Sequence, residues 1–385
     1  MKEIRYGIIG GGPGSMMGNV HRLAAQQANY RLVCGAFSRS MEKATALKKE
    51  LNLNDLRLYS TCEEMLIKEA KLPEDKRMQI VSILTPNYLH FAAASQALSL
   101  GFHVILEKPI TLTLAEAKEL QLLAHKYQKQ VCVNYTYSGY AKIQEARSLI
   151  EQGLLGKIRK VEISFHQDWL YKNIEKESSQ AAWRTDPTQS GLAGSAADIG
   201  THAFHLAEYI TGLKVQQLCA LSANHVEGRK VDDDTSTLIK FSNGATGIIS
   251  VMQMAIGENN LNITIYGERR TIKWEFDQRN LLKIYTPKPS SQLFKPVESI
   301  MLKDSDDMEL DYQATAAHYT NFAQSIYQSS NNAWYPNLMD GLRGMIWIES
   351  VLKSQNSQQW INLEEAETNV ISDEIINENS KKMTL

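Results

Sequence analysis

Gly10-Gly11-Gly12-Pro13-Gly14 decides the reading of this chain because of what flanks it. Ahead of it runs the short apolar stretch Ile4-Arg5-Tyr6-Gly7-Ile8-Ile9, and residues 19–27 behind it have helical spacing. Strand, glycine turn and helix follow one another where a dinucleotide fold binds its pyrophosphate. The glycines permit a tight turn and let the backbone approach the phosphates at the helix N-terminus. Gly10 and Gly12 fit the first two positions of G-x-G-x-x-G. Ser15 stands at the third, and Gly18 follows three residues later, so the turn reads as one lengthened by three residues. Gly10, Gly12, Pro13 and Gly14 are therefore candidate dinucleotide contacts.

Working outward, further strand-like runs fall at 31–37, 80–84, 103–106 and 131–135, with helical patterns at 41–51, 88–100 and 114–127 between them. Strands separated by helices of this length imply βαβ units and a mostly parallel sheet. Residues 1–134 thus read as a Rossmann-type α/β dinucleotide-binding domain. After Tyr135 the rhythm changes. A helix at 141–151 leads to a strand at 160–166, a long polar stretch at 171–191 and a helix at 194–211. Strands then dominate, at 215–223, 236–241, 245–254, 262–266, 271–276 and 281–285, and Ser242-Asn243-Gly244 between two of them is a tight-hairpin signal. Helices are expected at 317–329 and 340–354, and the last twenty residues read as polar and loose. Residues 135–385 are thus predicted to form an α+β substrate-binding and oligomerisation domain on a large, mostly antiparallel open sheet.

The composition narrows the partners. Lys+Arg number 41 against 43 Asp+Glu, a net charge of −2 over 385 residues, which leaves no positive surplus for a phosphate backbone. Nucleic acid is excluded as the main partner. No run of about 18 apolar residues occurs, so no membrane span is expected. Arg5 and the glycines interrupt the first apolar run, which reads as a buried strand rather than a signal core. Cys34, Cys62, Cys132 and Cys219 lie far apart with no C-x-x-C pair, which points to neither disulfide nor metal and makes the cytoplasm the expected compartment.

Where the second strand ends, an acid would hold the 2′-hydroxyl of NAD. Here Ser38 and Arg39 stand instead, so the cofactor reads as NAD(P) with a lean to NADP. Two further segments sit at strand ends, where open α/β sheets bind ligands: Thr85-Pro86-Asn87-Tyr88-Leu89-His90, and Glu107-Lys108-Pro109. Together with the glycine turn and the later Asp198-x-x-x-His202, these resemble the Gfo/Idh/MocA family of oxidoreductases, in order and in spacing, to about residue 360. The resemblance implies that Thr85, Pro86, Asn87 and His90 line the nicotinamide side of the cofactor, with Glu107 and Lys108 beside it. It also implies that Lys108, Asp198 and His202 act together as the catalytic set.

The residues support that assignment chemically. Asp198 and His202 are four apart and His205 is three further, so a regular helix would put all three on one face. Oxidising a secondary alcohol needs a hydride acceptor and a base, and imidazole titrates near neutral pH. A lysine cation can stabilise the forming alkoxide, and a carboxylate can orient or tune the imidazole. Asp-x3-His-x2-His is also a metal-ligand pattern, but no third cluster accompanies it and no metal is expected. On the substrate side, Trp183 offers a face for a sugar ring and Arg184 a fork for hydroxyls or a carboxylate. Tyr135 is a further candidate, and Tyr137, His166 and His318 are weaker ones by position.

The expected activity is an NAD(P)-dependent dehydrogenase acting on a sugar, sugar derivative or cyclitol. A glycosidase working through transient oxidation and a non-catalytic dinucleotide sensor are the alternatives. The family typically covers its open sheet by subunit association, which implies a homodimer or homotetramer.

Overall fold

A computed structural model of the chain describes residues 3–288, 299–303, 310–327 and 334–364. Positions 328–329 of one expected helix and the last twenty residues lie outside the described residues. The chain divides into two compact units, Met1–Ala141 with Thr188–Gly191 and Met308–Leu342, and Lys142–Pro187 with Leu192–Asp307 and Arg343–Leu385.

The first unit carries β1 (Ile4–Gly10), α1 (Met16–Gln27), β2 (Tyr30–Ala36), α2 (Met41–Glu50), β3 (Arg57–Leu58) and α3 (Cys62–Ala70). It continues through β4 (Ile80–Leu84), α4 (His90–Ser99), β5 (His103–Leu106), α5 (Leu114–Lys126) and β6 (Val131–Val133). The six strands form a sheet in the order β3-β2-β1-β4-β5-β6, and every neighbouring pair is parallel. The runs are apolar and buried on both faces, as a parallel sheet covered by helices requires. Ser15, Ser40, Thr61 and Thr113 start four of these helices by accepting a backbone N–H, and Thr113 with Glu116 closes a reciprocal capping box.

The second unit continues through α6 (Ala141–Glu151), β7 (Ile158–Gln167), α7 (Ser179–Arg184), α8 (Pro187–Ser190, which ends in the first unit) and α9 (Thr201–Thr211). Then come β8 (Val215–Ala223), β9 (Asp234–Phe241), β10 (Thr246–Met252), β11 (Asn259–Gly267), β12 (Thr271–Glu275), β13 (Leu281–Tyr285) and β14 (Ser299–Lys303). Two helices, α10 (Asp311–Tyr327) and α11 (Leu338–Ser357), precede β15 (Ile361–Asn362).

Among the described residues nine strands form one sheet, in the order β14-β13-β12-β11-β7-β10-β9-β8-β15. The sheet is mixed and mostly antiparallel. β7 and β10 pair in parallel, which the long connection between them allows. The predicted hairpin forms with Gly244 at φ +86 and the Asn243 side chain accepting from Ala245 N at 2.8 Å. One face of the sheet is apolar, with Val161, Ile163, Phe165, Ile249 and Val251 buried. Alternate residues Ser236, Leu238 and Lys240 of β9 point the other way and are exposed.

α10 returns to the first unit and fills one side of its core. Tyr319 and Phe322 pack among Tyr6, Tyr30 and Ile105, with the Tyr30 and Tyr319 rings edge to face at 5.0 Å. His103 of β5 belongs to the same region, its ring edge-on to Phe322. His103 Nδ1 accepts from Gln130 N at 3.1 Å, so the ring is needed neutral, and burial pushes its pKa down to about 4. An unfolded histidine takes its proton near pH 6.5 whereas this one does not, so acid favours the unfolded chain between those values. We therefore expect the denaturation midpoint to fall as pH drops from about 6.5 to 4, and His103→Gln to flatten that fall in a urea titration series.

Candidate active site

The glycine turn at the end of β1 is built from backbone that side chains disfavour. Gly10, Gly11 and Gly14 have φ of +81, +60 and +74. A Cβ on Gly12 would lie 2.6 Å from Phe37 O, and one on Gly18 would lie 2.4 Å from Gly11 O. Gly18 therefore takes up the close packing of helix on strand that the third glycine of the motif serves, three residues late. Ser15 Oγ accepts from Gly18 N at 3.0 Å, and the first turn of α1 carries no acid. An acid-free, capped helix start beside open glycine backbone suits a diphosphate. At the end of β2, Ser38 Oγ accepts from Ser40 N, and Arg39 is exposed.

The ends of β4 and β5 are tied together by His90. Its Nε2 faces Thr85 O at 2.8 Å and its Nδ1 faces Pro109 O at 2.9 Å. Burial pushes the His90 pKa down, against the two carbonyls, which favour a charged ring. His90 thus acts as a clamp between the two motifs. Asn87 Nδ2 donates to Ser190 O at 3.3 Å. The Thr85 hydroxyl is buried and has no hydrogen-bond partner among the described residues, which fits a neighbour that brings its own polar group, as a carboxamide does. The Lys108–Pro109 peptide is cis.

Glu107 faces inward. Its Oε1 accepts from Asn134 Nδ2 at 2.7 Å and lies 2.8 Å from His21 Nε2. His21 Nδ1 meets the Tyr319 hydroxyl at 2.8 Å, which in turn meets Ser82 Oγ at 2.8 Å. Burial would raise the Glu107 carboxyl, but the bond from His21, that ring's charge, the Asn134 bond and the Lys108 charge outweigh it and hold it below its usual range. The carboxylate thus anchors the backbone that presents Lys108. Tyr135 follows β6 and is 1% exposed, its carbonyl accepting from Ser138 Oγ. His318 is a core residue 3.3 Å from Ser138 Oγ, and burial pushes its pKa down to about 3.

In the second unit the segment carrying Asp198 and His202 differs from the regular helix expected. Residues Ala196–Gly200 form a π-helical turn that runs into α9. A π turn takes in an extra residue, so Asp198 and His202 leave the plain i,i+4 register. The tight contacts here are at Gly194, whose Cβ would meet Asp232 O at 2.1 Å, and at Gly200, whose Cβ would meet the Trp347 ring at 2.4 Å. Asp232 caps the segment. Its carboxylate accepts from Gly194 N at 2.6 Å, Ser195 Oγ at 2.6 Å, Ala196 N at 2.8 Å and Thr235 Oγ1 at 2.9 Å.

Asp198 Oδ2 accepts from Gln253 Nε2 at 2.8 Å and lies 3.4 Å from Arg184 Nε. The Arg184 guanidinium sits over the rings of Trp183 at 4.2 Å and Trp169 at 5.8 Å. The structure thus brings the predicted Trp183 and Arg184 together with Asp198. His202 is buried, and His205 stacks on Tyr209 at 5.8 Å, a packing role. His166 lies in β7 between Glu258 and Ser250.

Residues 4–135 match the model of the oxidoreductase family with an NAD-binding Rossmann fold, and residues 143–273 match the C-terminal domain of the same family, GFO/IDH/MocA. The chain belongs to the Gfo/Idh/MocA oxidoreductase family. It is 30% identical over 380 residues to the uncharacterised oxidoreductase YfiI of Bacillus subtilis, covering 92% of this chain and 95% of that protein. It is 28% identical over 310 residues to levoglucosan dehydrogenase of Pseudarthrobacter phenanthrenivorans, covering 74% of this chain and 76% of that protein. Among solved structures, an inositol dehydrogenase homologue of Azotobacter vinelandii in complex with NAD+ superposes with a TM-score of 0.85 at 27% identity. The match covers 94% of this chain and 97% of that one. This member of the family is therefore an NAD-binding oxidoreductase.

Sequence reasoning missed His21, Asn134, Asp232 and Gln253. His21 sits in the helix after the glycine turn, and no spacing rule announces that its ring reaches Glu107. Asp232 stands in the acidic run Asp232-Asp233-Asp234, which by composition reads as a solvated turn. Gln253 ends a strand pattern and carries no signal of its own.

Proposed function

We propose that this enzyme removes hydride and proton from a secondary alcohol of a sugar, sugar derivative or cyclitol. The observation that carries the reading is the anchored presentation of Lys108. Glu107 is fixed from within the fold on one side of it, and His90 holds the carbonyl of Pro109 on the other. When bound, the dinucleotide supplies the hydride acceptor. Gly10, Gly12, Pro13 and Gly14 would hold its pyrophosphate, and Thr85, Pro86 and Asn87 its nicotinamide side. The solved relative from Azotobacter vinelandii carries NADH and myo-inositol, and the levoglucosan dehydrogenase relative is named for a sugar, which supports this substrate class.

His202 takes the alcohol proton as general base. Lys108 stabilises the oxygen as negative charge develops there. Asp198 orients the site, and Trp183 faces the sugar ring. The lean to NADP rests on Arg39, exposed where an acid would otherwise read the 2′-hydroxyl of NAD. A cytoplasmic location is supported by four free cysteines. A homodimer or homotetramer is supported by the open face of the nine-stranded sheet, where Leu221 is 70% and Leu238 51% exposed.

The assay is a panel of neutral hexoses, anhydrosugars and cyclitols with NAD and with NADP, followed at the nicotinamide absorbance. Net reduction of the dinucleotide is expected, whereas bond cleavage without it would indicate the glycosidase. His202→Ala should cut kcat by about 10²–10⁴ with cofactor affinity unchanged. Lys108→Ala should impair both turnover and substrate binding, and Asp198→Asn should cost less than His202→Ala. Normal turnover in His202→Ala would move the base role to Lys108. Arg39→Ala should weaken NADP binding by about 1.5–3 kcal/mol and leave NAD binding in place, and equal effects on both would reject the lean. Light scattering at micromolar concentration should report a dimer or tetramer, and a monomer would refute the association.

A further inference from the structure

Gln253 follows β10 and is 3% exposed. Its backbone is fixed on both sides: Gln253 N donates to Asp233 O at 2.9 Å, and Gln253 O accepts from Leu170 N at 3.0 Å. A carboxylate can only accept, so the amide nitrogen is the atom that must face Asp198, and it does so at 2.8 Å. The same nitrogen lies 3.4 Å from Gln167 Oε1, which also accepts from Trp169 Nε1 at 3.0 Å. Trp169 stacks on Arg184, and Arg184 returns to the same Asp198 oxygen. The contacts close a ring: Trp169, Gln167, Gln253, Asp198, Arg184 and back to Trp169. Every member belongs to the second unit.

We propose that Gln253 is the positioning residue of the Asp198 carboxylate, and that through this ring it couples that carboxylate to the segment presenting Trp169, Trp183 and Arg184. The inference rests on the reading of Asp198 as part of the active site. The logic is one of limited freedom. A carboxylate on a π turn can rotate about its own side-chain bonds, and an arginine at 3.4 Å attracts it without fixing its direction. A buried amide with an anchored backbone does fix it, because turning the amide away would leave a buried donor unsatisfied. Gln253 itself never touches substrate in this scheme. Outside the ring, Arg184 Nη1 donates to Gln180 Oε1 at 2.5 Å, and the guanidinium lies over the Trp183 ring.

The test uses the full-length enzyme with NAD and the best substrate from the neutral sugar and cyclitol panel. The Arg184 guanidinium from α7 places a positive charge 3.4 Å from the Asp198 carboxylate. Gln253→Glu replaces the donor by a second carboxylate, so the acid limb of kcat/KM against pH should move up by about one unit or more. Gln253→Met keeps the shape and removes the donor, and kcat should fall about tenfold while KM for the dinucleotide stays put. A residue that only props up the fold would lower the thermal midpoint and leave the pH limb where it is. The inference is overturned if either variant folds with a wild-type limb and kcat while Asp198→Asn is impaired. Full turnover in Asp198→Asn would instead overturn the active-site reading, and this inference with it.

Discussion

One buried carboxylate, that of Asp232, holds the most consequential segment of the second unit. Four donors converge on it: Gly194 N, Ser195 Oγ, Ala196 N and Thr235 Oγ1. A helix start that buries its N–H groups needs such an acceptor, and a carboxylate also answers the positive end of the helix dipole. The next residue extends the arrangement. Asp233 accepts from His225 N and Val226 N and pairs with Arg229, whose guanidinium reaches Leu170 O, Lys172 O and Glu175. Two adjacent acids at the entry to β9 thus fix the π turn that bears Asp198 and the polar loop that bears Trp169.

The first unit solves a similar problem with neutral as well as charged groups. Lys108 must be held at the end of a strand, where backbone usually loosens. Glu107 is drawn inward by His21 and Asn134, His21 is held by Tyr319, and Tyr319 comes from α10, far along the chain. The late helix is therefore part of the first unit's working structure as well as of its core.

How much was legible in the sequence follows from which forces are local. The parallel sheet was readable because apolar runs, glycine turns and helix caps lie within a few residues of one another. The hairpin at Asn243-Gly244 was readable for the same reason. The return of α10 to the first unit was not, since its pattern says only that one face is apolar and not what it covers. Motif spacing singled out Thr85, Lys108, Asp198 and His202 as candidates, but it carried a silent assumption of regular helix between the last two. The π turn lies between the Asp232 cap on one side and Trp347, packed close against Gly200, on the other, and both partners are remote in sequence.

That π turn makes residue count, rather than residue identity, a variable on which this segment's geometry depends. Removing one residue between Ser195 and Gly200 would let the stretch relax into ordinary α-helix, with the same composition, caps and neighbours. Because the π turn absorbs one extra residue, the helix on either side would keep its orientation, and what would be lost is the widened turn itself. Asp198, which stands within the turn, would shift relative to His202 while α9 and the sheet kept their places. A single-codon deletion is thus a larger event here than most substitutions, and the length of this short stretch, more than its lettering, is what chains descended from this one would have to preserve.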